Sequence, residues 1–380
     1  MSHGGTLDRA MLPDMLRALL QREVLVCPTC RRLEAGALVD RPLVLGEVHA
    51  EAAGRPWQGM LCCPGCGTRY PIVDGVPVVL RDVAGWIRAQ ERSLLWRDDL
   101  APGLASWLQA AWPDHEDPGW KRELLATYTR DLDEIPPGGV GLPAALAEAG
   151  RGAREFLAAR RVALVAEVEP GALAVDLGAG VGVPALHFAQ IGLHAVALER
   201  EFSPLRLLSR LLRDGRARVP RMGCCGGDFS EVELALPPGT DPSRVLPLAA
   251  DALDPPFRAR TFAVVTAYNL LDNVENPPLL LQQAGALLAP GGHLAVSSPY
   301  DWTSRVTPLG LRLGAAIHLG PEPDPAQALR DLLAGRLPGL APGLALTLGR
   351  EEPRLPWLLQ RHDRSWHLFF THYLEARRGG

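Results

Sequence analysis

Apolar positions along the 380-residue chain follow two rhythms. In the first, Met11, Leu12, Met15, Leu16, Leu19 and Leu20 repeat at helical spacing and predict a helix with one wet face over Leu7 to Arg22. Arg151 to Glu169, Ser203 to Arg213 (Leu205, Leu207, Leu208, Leu211, Leu212) and Pro325 to Ala334 read the same way. In the second, short continuous apolar runs predict buried strands. They are Ala172 to Leu177, His194 to Glu201, Pro247 to Phe257, Phe262 to Val274, and the end of Leu287 to Trp302 beyond a Pro-Gly-Gly turn. Arg354 to Arg378 gives two more around the turn His362-Asp363-Arg364. Strands that alternate with helices predict an α/β sheet.

The first of these strands runs into Gly178, Gly180 and Gly182, and a helix starts at Val183. A glycine turn lets the backbone approach a ligand, and the helix N-terminus offers it unpaired N–H groups. The spacing is G-x-G-x-G, with Val183 where the dinucleotide fingerprint has its last glycine. Asp176 sits in the strand end, and the second strand ends in Glu199, a carboxylate able to accept from both ribose hydroxyls. That much suits either a nicotinamide dinucleotide or S-adenosylmethionine.

Asp251 and Ala252 at the third strand end, the stretch FAVVTAYNLLDNV, and LLAPGGHLAVSSPYDW follow in order. Together these motifs, over Gly171 to Trp302, resemble the class I S-adenosylmethionine-dependent methyltransferases. The resemblance implies a Rossmann-like seven-stranded sheet, mostly parallel with the last strand antiparallel. The pair in Arg354 to Arg378 would supply its sixth and seventh strands. It also implies S-adenosylmethionine as cofactor, held by Asp176, Gly178, Ala179, Gly180, Gly182, Glu199, Arg200, Asp251, Ala252 and Tyr268. Asn269, Asp272, Tyr300 and Asp301 become the candidates to orient the methyl acceptor. The competing reading is a Rossmann-like domain with another ligand.

Length predicts two or three domains, and 47% hydrophobic residues are ample for a core. A net charge of −4 gives no bulk basic signal for nucleic acid or an anionic membrane. The Arg pairs at 31–32, 160–161 and 377–378 are expected on the solvated surface. No apolar run reaches membrane-spanning length and no signal peptide opens the chain, so a cytoplasmic protein is expected.

Of seven cysteines, Cys27, Cys30, Cys63 and Cys66 form two C-x-x-C pairs, the pattern of a structural zinc ribbon. The long spacer needs a hairpin, for which Arg41 to Gln58 is available, and Cys62 should point elsewhere. The phrase from Cys63 to Pro77, within Leu19 to Arg81, resembles the small zinc-ribbon activators of methyltransferases acting on tRNA, rRNA and release factors. The resemblance implies an activator supplied in cis, covering a strand edge of the catalytic domain.

Between ribbon and sheet, Trp86, Trp96, Trp107, Trp112 and Trp120 suggest a helical cap, with these rings in core or inter-domain packing, the alternative being one or two of them lining the substrate pocket. The expected divisions are 1–81, a helix and zinc ribbon of α+β type; 82–170, the cap; and 171–380, the cofactor-binding sheet. Gly223 to Gly227, with Cys224 and Cys225, is expected as a loop or strand end, and Glu231 to Arg244 as a proline-broken insertion. Asp254 to Phe257 precedes the fourth strand, so it does not match the Asn-Pro-Pro-aromatic motif of amide and base-amino methyltransferases. Asn276-Pro277-Pro278 follows that strand but lacks the aromatic, and fits a capped helix start.

NLLDNVENP, SPYDW with TP, and PWLLQRHDRSW resemble the methyltransferase domain of ovothiol biosynthesis, which methylates an imidazole nitrogen of mercaptohistidine. The chain departs from that group at Arg312-Leu313-Gly314-Ala315, where Trp-Leu-Gly-Gly would stand. Three functions follow. The first is a methyltransferase for a heteroatom of a small molecule, an imidazole nitrogen of a histidine-like acceptor or another heteroatom. The second is an RNA or translation-factor methyltransferase, and the third a non-catalytic binding module. His187, His362, His367 and His372 are expected in packing or surface roles.

Overall fold

A computed structural model of the chain describes residues 14–34, 37–90, 94, 100–110, 144–222, 229–319, 321–362 and 365–380. Helix α1 (Met15–Gln21) is capped by Asp14, whose carboxylate accepts from the Arg17 N–H, and it buries Met15, Leu16 and Leu19. The expected start of this helix, before residue 14, lies outside the described residues.

Strands β1 (Arg32–Glu34) and β2 (Ala37–Val39) pair antiparallel. Strands β3 (Val44–Ala52), β4 (Arg55–Cys62), β5 (Arg69–Val73) and β6 (Val76–Pro77) form an antiparallel sheet in chain order. The expected hairpin is β3–β4. Ala53 and Gly54 turn it with φ of 50° and 74°, the paired positive values that match the twist of a two-residue hairpin.

Helices α2 (Val83–Ala89), α3 (Pro102–Ala110) and α4 (Ala144–Leu164) follow. Trp86 is buried edge-on against Phe202, and its indole N–H donates to the Arg200 carbonyl at 2.7 Å. Trp107 is half-buried against the same core. Both fit the packing expectation; Trp96, Trp112 and Trp120 lie outside the described residues.

The large sheet then builds up in sequence. It comprises β7 (Leu173–Leu177), helix α5 (Val183–Gln190), β8 (His194–Glu199), helix α6 (Phe202–Asp214), a hairpin of β9 (Arg216–Met222) and β10 (Phe229–Ala235), then β11 (Val245–Ala249) and β12 (Phe262–Tyr268). Helix α7 (Pro277–Leu287), β13 (Leu288–Ser298), helix α8 (Pro325–Leu333), β14 (Thr347–His362) and β15 (Ser365–Arg377) complete it. Seven strands lie in the order β11-β8-β7-β12-β13-β15-β14. Only β15 runs against its neighbours, as expected. Asn276 caps α7 by accepting from the Leu279 N–H, with Pro277 in the first turn.

Two expectations change. Glu231 to Ala235 is not irregular insertion but strand, paired antiparallel with β9. Its Glu-Val-Glu-Leu alternation is a period-two signal that the following prolines obscured. The Pro-Gly-Gly turn is absorbed into β13 as a bulge, where pairing with β12 jumps from Leu288 to His293 and Gly291 takes φ of 74°. Gly223 to Gly227, expected as a loop or strand end, lie outside the described residues.

The N-terminal sheet and the large sheet share one core. Leu19, Met60, Tyr70 and Ile72 join the same buried cluster as Val196, Leu248 and Phe257. Val78 bridges Ala249 in parallel, and the Val79 N–H donates to the Ala249 carbonyl at 2.9 Å. Edge strand β11 is thereby engaged on its open side at its last residue, where the Ala249 carbonyl gains a backbone partner. Arg31, expected on the surface, instead donates to the carbonyls of Pro255 and Phe257 at 2.7 and 2.6 Å and ties the two parts together.

Candidate functional site

The four predicted ligand cysteines converge. Cys27 and Cys30 flank the turn after Val26, and Cys63 and Cys66 flank the turn between β4 and β5. All four Sγ atoms lie within 4.8 Å of one another, with Cys27–Cys66 at 3.7 Å and Cys30–Cys63 at 3.6 Å. Tetrahedral thiolates at about 2.3 Å from zinc would stand about 3.8 Å apart, so the donor set fits zinc. The Tyr70 hydroxyl lies 3.1 Å from Cys27 Sγ and the Thr68 hydroxyl 3.0 Å from Cys66 Sγ, donors suited to stabilising thiolates. Cys62 stands apart, its sulfur packed against Gly46.

The second constellation gathers at the C-terminal ends of β7, β8, β11, β12 and β13. Gly178, Gly180 and Gly182 have φ of 72°, 53° and 80°. Such left-handed backbone favours glycine, and Gly182 caps α5 in that conformation. Glu199 is buried: one carboxylate oxygen accepts from the N–H groups of Arg200 (2.7 Å) and Glu201 (3.0 Å), the other from Gly180 (3.1 Å). Burial raises its pKa, and those three bonds oppose the rise. One lone pair stays free of these bonds. Asp251 accepts from the Leu253 N–H, and Ala252 beside it is buried.

Asp176 is buried and accepts from the Thr266 hydroxyl at 2.6 Å. Burial pushes its carboxyl up to about 7, against the Thr266 bond and the Arg161 charge. Arg161, from a pair expected in solvent, is 6% exposed. Its guanidinium sits 6.0 Å from the Tyr268 ring centroid and donates to His187 Nδ1 at 3.1 Å. Burial and Arg161 push His187 down to about 4, leaving it neutral. The Tyr268 hydroxyl is buried with no hydrogen-bond partner among the described residues. The signal for Arg161 was available in α4, where Ala153, Leu157, Arg161 and Leu164 share one buried stripe.

At the ends of β12 and β13, Asn269 and Tyr300 adopt φ of 51° and 57°, strained for a residue as bulky as tyrosine. Asn269 interlocks with Ser297: its N–H donates to Ser297, whose hydroxyl donates back to Asn269 Oδ1 at 3.0 Å. Asp272 is buried and accepts from the Ser298 hydroxyl (2.9 Å) and the Asp301 N–H (2.9 Å). Asp272, Tyr300 and the Asp301 backbone are thus tied together around Asp272 and Ser298, while Asn269 pairs separately with the adjacent Ser297. The Asp301 side chain itself points to solvent.

Residues 150–336 match the Methyltransf_23 family, described as a methyltransferase domain, and residues 20–75 match the Trm112p family, described as Trm112p-like protein. Among solved structures, the chain is similar to magnesium protoporphyrin IX methyltransferase from Synechocystis PCC 6803 with bound SAM, at 13% identity and TM-score 0.38, covering 70% of this chain and 100% of that one. It is also similar to N-methyltransferase NodS from Bradyrhizobium japonicum WM9, at 15% identity and TM-score 0.35, covering 60% and 98%. The [4+2]-cyclase SpnF gives 15% identity and TM-score 0.40, covering 69% and 95%. No curated protein matches the chain. Among the described residues no helix is long and apolar enough to cross a membrane. One polypeptide thus carries a segment that matches the Trm112p-like family and a second that matches a methyltransferase-domain family.

Proposed function

We propose that the protein is an S-adenosylmethionine-dependent methyltransferase that methylates a heteroatom of a small molecule, an imidazole nitrogen being the leading case. We place its parts at 1–81 (activator-like ribbon), 82–170 (cap) and 171–380 (catalytic sheet). The observation that carries the reading is the glycine turn beside a buried, singly unfilled Glu199 carboxylate, within a chain whose residues 150–336 match a methyltransferase domain. When bound, the cofactor supplies a methyl group already activated by its sulfonium.

In this reading the backbone of Gly178 to Gly182 borders the methionyl part, and Glu199 accepts from the ribose. Asp251 and Ala252 border the adenine, with Arg200 beside them. The Asp176 carboxyl, the Arg161 guanidinium and the Tyr268 hydroxyl together supply a titrating acid, a positive charge and a neutral polar group suited to an amino acid's charged ends. The chain's remaining work is alignment of the acceptor and exclusion of water. Asn269, Asp272, Tyr300 and Asp301 do the first. The zinc ribbon acts as the activator in cis, because it engages the end of the β11 edge and shares the core.

The ribbon also favours a second reading, RNA or a translation factor as acceptor. One experiment separates the two. Purified protein is incubated with methyl-labelled S-adenosylmethionine and cell extract, then split into small-molecule, protein and RNA fractions. Label among small molecules supports the first reading, and label in RNA or protein replaces it with the second. Cofactor binding without any labelling leaves the third expectation, a binding module.

A further inference from the structure

The Tyr300 hydroxyl lies 2.6 Å from His372 Nδ1, and His372 Nε2 lies 2.7 Å from Glu351 Oε1. A carboxylate can only accept, so Nε2 carries the hydrogen and Nδ1 is left to accept from the tyrosine. Three separate elements supply the chain: the loop after β13, the facing strand β15, and β14. His372 stands opposite Ser298, the last residue of β13, so the chain sits on the same rim as Asp272 and Asn269. Its tyrosine is the strained residue, pinned by its own N–H on the Ser298 hydroxyl while Ser298 donates to Asp272. His372, expected as packing, is 3% exposed and bonded at both nitrogens.

We propose that Tyr300, His372 and Glu351 form a relay that removes the proton the methyl acceptor must lose. This rests on the reading above. A neutral N–H acceptor that gains a methyl must release one proton as the donor's C–S bond breaks. The acceptor's proton passes to the Tyr300 oxygen, and the tyrosine's own proton passes to His372 Nδ1. The resulting imidazolium is held by Glu351, and it returns its proton to water after product leaves. Tyr300 is the group placed to meet the acceptor; His372 and Glu351 are positioning residues that act through it. Burial lowers the His372 pKa, Glu351 raises it, and the charges of Arg330 and Asp324 on α8 act in opposite senses. Glu351 is itself tied to Arg330. The Tyr300 phenol, raised by burial and facing Arg330, Asp324, Glu351 and Asp272, stays protonated at rest.

The test uses the full-length, zinc-loaded chain labelled with ¹⁵N-histidine. Long-range proton–nitrogen spectra should show His372 neutral at pH 7.5 in the Nε2–H tautomer. Tyr300→Phe should move its Nδ1 resonance, and Glu351→Gln should lower its pKa by about one pH unit or more. An Nδ1–H tautomer, an imidazolium at pH 7.5, or an Nδ1 resonance indifferent to Tyr300→Phe overturns the relay. Single-turnover transfer to an imidazole thiol then reads the chemistry. Tyr300→Phe and His372→Gln should each cost about 100-fold or more in rate. His372→Gln should also abolish the acidic limb of the pH profile, and an unchanged limb overturns the proposal. Calorimetric titration with S-adenosylmethionine separates the two levels: no binding by the wild type sinks the methyltransferase reading, whatever the histidine spectra show.

Discussion

Asp176→Asn isolates the cost of burying a carboxylate behind the glycine turn. The wild-type carboxyl is lifted from 3.8 to about 7, chiefly by burial. A raised carboxyl binds its proton more tightly folded than unfolded. Its contribution is therefore neutral below the unfolded pKa and turns against the folded state as pH rises from 3.8 to about 7. At about 1.4 kcal/mol per pH unit the full penalty is about 4 kcal/mol, of which roughly 2 kcal/mol is present at pH 5.5. Asn is nearly the same shape, and its carbonyl oxygen can still accept from Thr266, which donates 2.6 Å away. The variant should then gain stability over the wild type, and the gain should grow by about 2 kcal/mol from pH 5.5 to pH 8. Comparing two pH values cancels whatever the substitution does to packing. Urea denaturation of both zinc-loaded proteins without methyl donor measures it. A gain that is flat or shrinks with pH would refute the electrostatic account of this site. The same variant should bind S-adenosylmethionine more weakly, the usual exchange of stability for function.

The other predictions concern the ribbon and the cofactor seat. Removing zinc with a chelator, or Cys63→Ser, should lower the melting temperature of the whole chain, because the ribbon's apolar residues share the main core; a zinc-free chain that melts unchanged would refute the stabilising role. Val79→Pro deletes the N–H that donates to Ala249 and removes a fully buried valine from the shared core, so it should cost at least about 1–3 kcal/mol, read by denaturation, while leaving bound zinc stoichiometric. Glu199→Ala should weaken S-adenosylmethionine binding by about 1.5–3 kcal/mol, the worth of the one charge-assisted bond its free lone pair can accept, read by calorimetry. An unchanged dissociation constant would remove Glu199 from the ribose site.

Much of this architecture was legible because its determinants are local. Periodicity in the Leu205 to Leu212 stretch, the apolar run Leu173 to Leu177 and the Asn276 cap are each set by neighbours a few residues away, and each appears where the pattern puts it. Cysteine spacing is equally local: two C-x-x-C turns announce two halves of one site. The β9–β10 hairpin was missed for a local reason too, since prolines after Ala235 mask the alternation before them.

Sequence alone determined which stretches become strand, turn and helix, and which residue types stand at the strand ends, because backbone sterics and apolar spacing act over short range. What only the tertiary structure decided is who meets whom across long separations. Arg161 looks like one of a solvated pair, yet it is buried beside Asp176 because α4 lies across the sheet. Val79 meets Ala249 only because an edge strand was left to cover. His372 meets Tyr300 and Glu351 only because β15 runs antiparallel between β13 and β14. Such partnerships depend on strand register and on the sharing of one core between distant segments. Neither leaves a mark in the local pattern of residues.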